Sequence, residues 1–267
     1  ETADAPVGMF NAVKLVAPLD KTLRAKRTQM ENVLSIYGRA LDYGVAEVTT
    51  AATYGMGELY RQFAADLMAS ERPKDLDEAA REEYDVLLEE QAFPFEEKAI
   101  ELHEANAKRA SEGIYDESVR KSFDVLAKLV PARYAKSEIE EDAASSLPAA
   151  TDAAAPAAAE PDMPPETVRQ FDDAAAYNRL GIVARREGRF ADAEQAYLRA
   201  IEIDPNHANA HLNLGVLCDL YLQQPQRALE AFERYLSLSP APDEKVSAWV
   251  KELKVRLESA QRGSGAG

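Results

Sequence analysis

Apolar positions in the first half of the chain recur at intervals of three and four, the spacing that puts them on one face of an α-helix. From Asp20 to Tyr43 the stripe runs through Leu23, Met30, Val33, Leu34, Tyr37 and Leu41, and Asp20 can cap its start. A second helix is predicted from about Val45 to Ala69, through Val48, Ala52, Met56, Leu59, Tyr60, Phe63 and Leu67. Gly55 and Gly57 inside it each cost about 1 kcal/mol of helix propensity against alanine, so they mark close contact between helices. Arg72-Pro73 breaks the chain. A third helix is predicted from Asp77 to about Gln91, with Ala80, Tyr84, Leu87 and Leu88 inward, and Pro94 suits the first position of a fourth. Residues 1–18 lack clear periodicity and are read as a flexible segment.

The second half carries a repeat. Residues 174–205 read AAAYNRLGIVARREGRFADAEQAYLRAIEIDP, with small residues set between large apolar ones and a proline at the close. Leu180 and Gly181 recur 34 positions on as Leu214 and Gly215. Ala193, Tyr197 and Pro205 recur 35 positions on as Ala228, Phe232 and Pro240, so the second copy holds one extra residue, placed near Gln224-Pro225. The pattern describes two antiparallel helices per copy. Gly181 and Ala193 sit where the helices cross, and Leu180 and Tyr197 fill the layer around them. Gly188 supplies a left-handed turn, and Asp204-Pro205 ends the second helix. One such hairpin cannot bury its own apolar face, so copies stack and need a cap. Asp243 followed by Val246, Trp249, Val250, Leu253 and Leu257 has the stripe of a capping helix.

A period of 34 with this order of residue types resembles the tetratricopeptide repeat. Tyr177 takes the family's aromatic place and Leu180-Gly181 its Leu-Gly pair, while Ala184 and Cys218 stand where a tyrosine is usual. Gly113, Tyr115, Val119, Phe123, Leu126 and Pro131 echo the second helix of the same unit as a degenerate copy. The resemblance implies an all-α fold of antiparallel helical hairpins. Periodicity and composition together divide the chain into a flexible segment over 1–18, a repeat-like helical domain over 19–136, a linker over 137–168, a repeat domain of two copies plus cap over 169–260, and a flexible tail over 261–267.

Composition sharpens this division. The linker is Ala, Pro and acid, and Pro148, Pro156, Pro161, Pro164 and Pro165 argue against a continuous helix, so it is expected to be disordered. A net charge of −16 opposes binding to nucleic acid or an anionic membrane through a general field. No apolar run reaches the length of a bilayer span. With one cysteine there is no internal disulfide, and Cys218 reads as a small core residue. The chain begins ETADAP without methionine, a start that suits removal of a secretory leader.

Candidate chemistry is sparse. His207 and His211 have the i, i+4 spacing of metal ligands, but both hold structural places in the repeat and no cysteine completes the set. No nucleophile-base pair or phosphate loop is apparent, so no catalytic, cofactor or metal site is assigned. The family resemblance implies instead a concave groove lined by the first helix of each copy. Carried over, its inward positions are Asn178, Ile182, Arg185 and Arg186 in the first copy. In the second they are Asn209, Leu212, Val216, Asp219 and Leu220, with Asn213 alongside. Such a face suits an extended or helical peptide.

The stretches TYGMGELYRQFAADLMASERP and YDVLLEEQAFPFEEKAIELHEAN resemble bacterial exported tetratricopeptide proteins found beside ExbB/ExbD/TonB-type transduction components, including those of gliding motility. That resemblance implies a periplasmic, non-enzymatic scaffold with protein partners in an envelope complex, no nucleic acid and no membrane span of its own. A cytoplasmic location, and a role as a chaperone-like or cell-wall and outer-membrane biogenesis factor, are the alternatives.

Overall fold

The computed structural model describes residues 3–140 and 173–264, with side chains to 262. The regular structure of the described residues is all helical, without a strand, and the chain divides into two compact units, Glu1–Ala135 and Lys136–Gly267.

Among the described residues the first unit holds six α-helices: α1 (Asp4–Ala12), α2 (Leu19–Leu41), α3 (Ala46–Met68), α4 (Glu78–Arg109), α5 (Glu117–Leu129) and the short α6 (Pro131–Tyr134). The stretch expected to be flexible carries α1, whose Phe10 is fully buried against Phe63, the ring centroids 6.5 Å apart. Its anchors Val7, Phe10 and Leu15 are too few and too unevenly spaced to give this stretch a visible period. Lys26, within the basic run KTLRAKR, is 1 % exposed. Its ammonium donates to the Phe10 and Val13 carbonyls at the end of α1 and meets Asp66 at 2.6 Å. A buried cation is stable here because it answers carbonyls that α1 cannot satisfy itself and a carboxylate as well.

Two expectations change in this unit. The third and fourth predicted helices are one, α4, with Pro94 inside it. Proline removes the donor to the Glu90 carbonyl, but both residues lie on the exposed side, where water can meet that oxygen. Leu87, placed inward from the sequence, is about half exposed. Gly57 lies under the His103 ring, where a Cβ would come within 2.7 Å of Nε2. Gly113 turns the chain between α4 and α5 at φ +85°, and Val119 and Leu126 are buried, the hairpin that the degenerate copy describes.

The second unit contains α7 (Ala174–Arg186), α8 (Phe190–Ile203), α9 (Ala208–Val216), α10 (Pro225–Leu238) and α11 (Glu244–Ser264). Asp173 caps α7 through the Ala175 amide, and Asp243 receives the Val246 amide at the start of the capping helix. Helices α7 and α8 cross at Gly181, where a Cβ would lie 2.3 Å from the Tyr197 ring; Gly215 lies under Phe232 in the same way. Burying such rings is worth about 1.5–3 kcal/mol each. Leu180 does not fill this layer: it is half exposed, whereas its counterpart Leu214 is buried. Leu214 belongs to the second hairpin, which stacks on the first, and among the described residues no hairpin precedes α7 in this unit.

The extra residue of the second copy is not in the turn at Gln224-Pro225. It widens the end of the first helix into a π turn, Leu217–Tyr221, closed by the Leu222 amide donating to the Leu217 carbonyl at 3.1 Å. The next turn puts Gln223 at φ +54°, the place Gly188 holds at φ +76° in the first copy. A π turn absorbs one residue without breaking the helix, and it rotates the residues beyond it.

Candidate peptide-binding groove

Helices α7 and α9 lie side by side, and an asparagine from each meets the other: Asn213 Nδ2 donates to Asn178 Oδ1 at 3.0 Å. Both residues are fully buried. Against this pair lies a stretch of the chain itself, Lys136–Glu140 (KSEIE), which opens the second unit. Asn213 binds both backbone groups of one residue in it. The Ile139 amide donates to Asn213 Oδ1 at 2.9 Å, and Asn213 Nδ2 donates to the Ile139 carbonyl at 3.1 Å. This is how a side-chain amide stands in for a neighbouring strand, and it reads backbone rather than side chain.

Charged groups flank that contact, one cation followed by two carboxylates. Lys136 has a fully buried ammonium held by Asp219 and, at 3.0 Å, by Glu252 of the capping helix. Arg256 holds the other oxygen of Asp219, so two cations and two carboxylates balance. Two residues on, the Glu138 carboxylate is 4 % exposed and accepts from Arg185, Nε at 2.9 Å, and from the Tyr197 hydroxyl. Burial pulls the Arg185 pKa down, but its hydrogen bond to Glu138 and the neighbouring Tyr221 and Tyr197 outweigh that and leave it raised, so the guanidinium stays charged. Burial and the adjacent Glu138 charge push the Tyr197 hydroxyl up, so it remains a donor. The Arg185 guanidinium also lies 5.7 Å from the Tyr221 ring, which stacks on Phe190. Glu140 pairs with Arg186 at the solvent-exposed edge.

The ten positions assigned from the repeat register divide accordingly. Asn213, Arg185, Arg186 and Asp219 touch the segment directly, and Asn178 supports Asn213. Ile182, Leu212, Val216 and Leu220 are buried, and Asn209 is half-buried at the start of α9. Residues 137–140, assigned from sequence to a disordered linker, lie against these helices; the remainder of that stretch, 141–168, falls outside the described residues. Sequence reasoning missed Tyr197, Glu252 and Arg256 as polar partners. Tyr197 was read as core, which its ring is, and only its hydroxyl reaches the groove. Nothing in the text around the start of the linker marked Lys136 and Glu138 as anchors.

Other titratable groups have structural places. His207 Nδ1 accepts the Ala210 amide as a helix cap, and His211 Nε2 lies 3.1 Å from the Pro205 carbonyl. Among the described residues no cluster of three or more metal-binding side chains occurs. In the first unit Ser122 Oγ lies 3.2 Å from His103 Nδ1, and His103 Nε2 lies 3.5 Å from Glu58. The arrangement has the order of a nucleophile, base and acid. However, the Ser122 hydroxyl donates to the Ser118 carbonyl, Asn106 donates to its oxygen, and Ser122 and His103 are both fully buried. No reacting atom can reach it, so it cross-links α3, α4 and α5.

Residues 172–241 match the tetratricopeptide repeat family. The match covers both hairpins of the second unit, and repeats of this family generally serve protein–protein interaction rather than catalysis. No curated protein matches the chain. No described helix is long and apolar enough to cross a membrane.

Proposed function

We propose that this protein is a non-enzymatic scaffold whose repeat groove grips an extended peptide segment of a protein partner. The observation that carries this is the paired hydrogen bond of Asn213 to both backbone groups of one residue, Ile139. That contact is supplied by a buried, pre-set amide, and Arg185 and Tyr197 beside it present donors for a carboxylate. Crosslinking and mass spectrometry in the native cell, run on the wild type and on Asn213→Ala, tests it. Partner crosslinks should disappear in Asn213→Ala and persist in a control altered on the outer helix, Arg199→Ala with Glu202→Ala. Equal loss or equal retention in the two variants would sink the groove reading.

As the setting, we propose a periplasmic envelope complex, with a place beside ExbB/ExbD/TonB-type energy transduction or motility components. Its support is the resemblance of the two stretches in the first unit. Fractionation of the producing cell tests it: recovery with cytoplasmic markers would overturn the proposal.

A further inference from the structure

We infer that Lys136–Glu140 is a built-in occupant of the repeat groove, and that an outside partner displaces it with an extended segment of the same chemistry: a cation, an acid two residues later, then an aliphatic residue. This rests on the reading of the groove as a peptide site and adds what guards it and what it selects.

Three observations support the inference. First, the contacts are those of a bound peptide rather than of a packed core. The chain has no regular secondary structure here, its backbone pairs with an asparagine, and its charged side chains divide between an acidic clamp (Asp219, Glu252), which takes Lys136, and a basic one (Arg185, Arg186), which takes Glu138 and Glu140. Second, the acidic clamp takes the residue three before the one Asn213 holds, and Arg185 takes the residue one before it, so charge order sets register and direction. A segment with the reverse order would put its cation beside Arg185 and its carboxylate beside Asp219. Third, the occupant leaves part of the site unmet. Among the described residues, Asn178 Nδ2 is buried and has no hydrogen-bond partner while the segment is in place. An outside segment that offers a carbonyl there makes a bond that the described residues do not, and removes the cost of a buried unpaired donor. Displacement also leaves no orphaned acid, because Arg256 still holds Asp219.

A tethered occupant acts as a competitor at high effective concentration. If it fills the groove about nine-tenths of the time, the apparent affinity for an outside segment falls about tenfold.

The test uses the full chain and a labelled, capped peptide AKSEIEED, read by fluorescence anisotropy. The wild type should bind weakly, and Lys136→Ala with Glu138→Ala should bind at least tenfold more tightly. Adding Asn213→Ala should abolish the gain. Equal affinity for wild type and the double variant, lost in Asn213→Ala, overturns the occupant and leaves the groove standing. No binding to any form overturns the groove itself. A gain that survives Asn213→Ala places the peptide elsewhere and overturns both.

A second measurement needs no variant. The Ile139 amide should exchange slowly in the wild type and rapidly once excess peptide is added. Rapid exchange in the free protein overturns the inference. So does protection that appears only with dimer formation on a sizing column, which would make a second copy the donor.

Discussion

Adding a single methyl group at Gly181 tests how the repeat is built. A Cβ there would stand 2.3, 2.5 and 2.8 Å from three atoms of the Tyr197 ring. Carbon atoms in good contact lie about 3.5–4.0 Å apart, so the ring or the helix must move by more than about 1 Å. The ring cannot yield cheaply. It is fully buried, and its hydroxyl is tied to Glu138 at the far end. Overpacking of this kind costs about 1–3 kcal/mol, and an overlap this deep belongs at the upper end. Alanine returns about 1 kcal/mol through helix propensity, which leaves a net loss of about 2 kcal/mol. Trp249, the only tryptophan, packs on Phe232 at 5.5 Å, so its fluorescence follows the second unit alone. In a urea titration the midpoint of Gly181→Ala should fall by roughly 1 M. In a Tyr197→Leu background the same substitution should be close to neutral, giving a coupling of at least about 1 kcal/mol. A Gly181→Ala protein as stable as the wild type would refute the reasoning, because propensity would then have outweighed contact.

Other outcomes rest on single features. Burial pushes the Cys218 thiol up to about 11, so it should resist alkylation at pH 8 in the native protein and react once denatured; rapid native labelling would contradict the repeat core as described. Burial works against ionisation of Glu58, yet the hydrogen bonds from Arg61 and the nearby His103 ring hold it at about 2, below its ordinary 4.5. A depressed carboxylate stabilises the fold above about pH 4.5, and that contribution is lost as pH falls through about 2. Glu58→Gln should therefore destabilise the first unit at pH 7 and differ little from wild type near pH 2; a deficit of equal size at both would refute the cause. Gln223 sits at φ +54°, a conformation that costs a residue with a Cβ about 1 kcal/mol, so Gln223→Gly should raise the urea midpoint, and a lowered midpoint would mean that its side-chain bond to the Leu220 carbonyl is worth more.

Local rules made much of the architecture legible. The recurrence of Gly181, Ala193 and Tyr197 as Gly215, Ala228 and Phe232 encodes two hairpins, because a helix crossing needs a small residue at a fixed distance from a ring. Asp243 and the stripe from Val246 to Leu253 encode the cap by period and capping chemistry alone. The same register pointed to Asn213 and Arg185, since a helix with one face committed to packing must turn its other face outward. What the sequence could not decide were matters of long-range contact. Pro94 signals a break by its own chemistry, and only the exposure of that face of α4 lets the helix run on. Lys26 looks like any surface cation until the end of α1 supplies carbonyls and α3 supplies Asp66. The extra residue of the second copy is visible as a count, but whether it loosens a turn or widens a helix depends on what the later residues must reach, and here the π turn delivers Asp219 to Lys136 and Arg256. The stretch KSEIE has the composition of a solvated tether, polar and short of large apolar residues. It is ordered by the Asn213 amide, Arg185, Asp219 and Glu252, which stand 47 to 116 positions away from the residues they hold, and no local property of five residues carries that information.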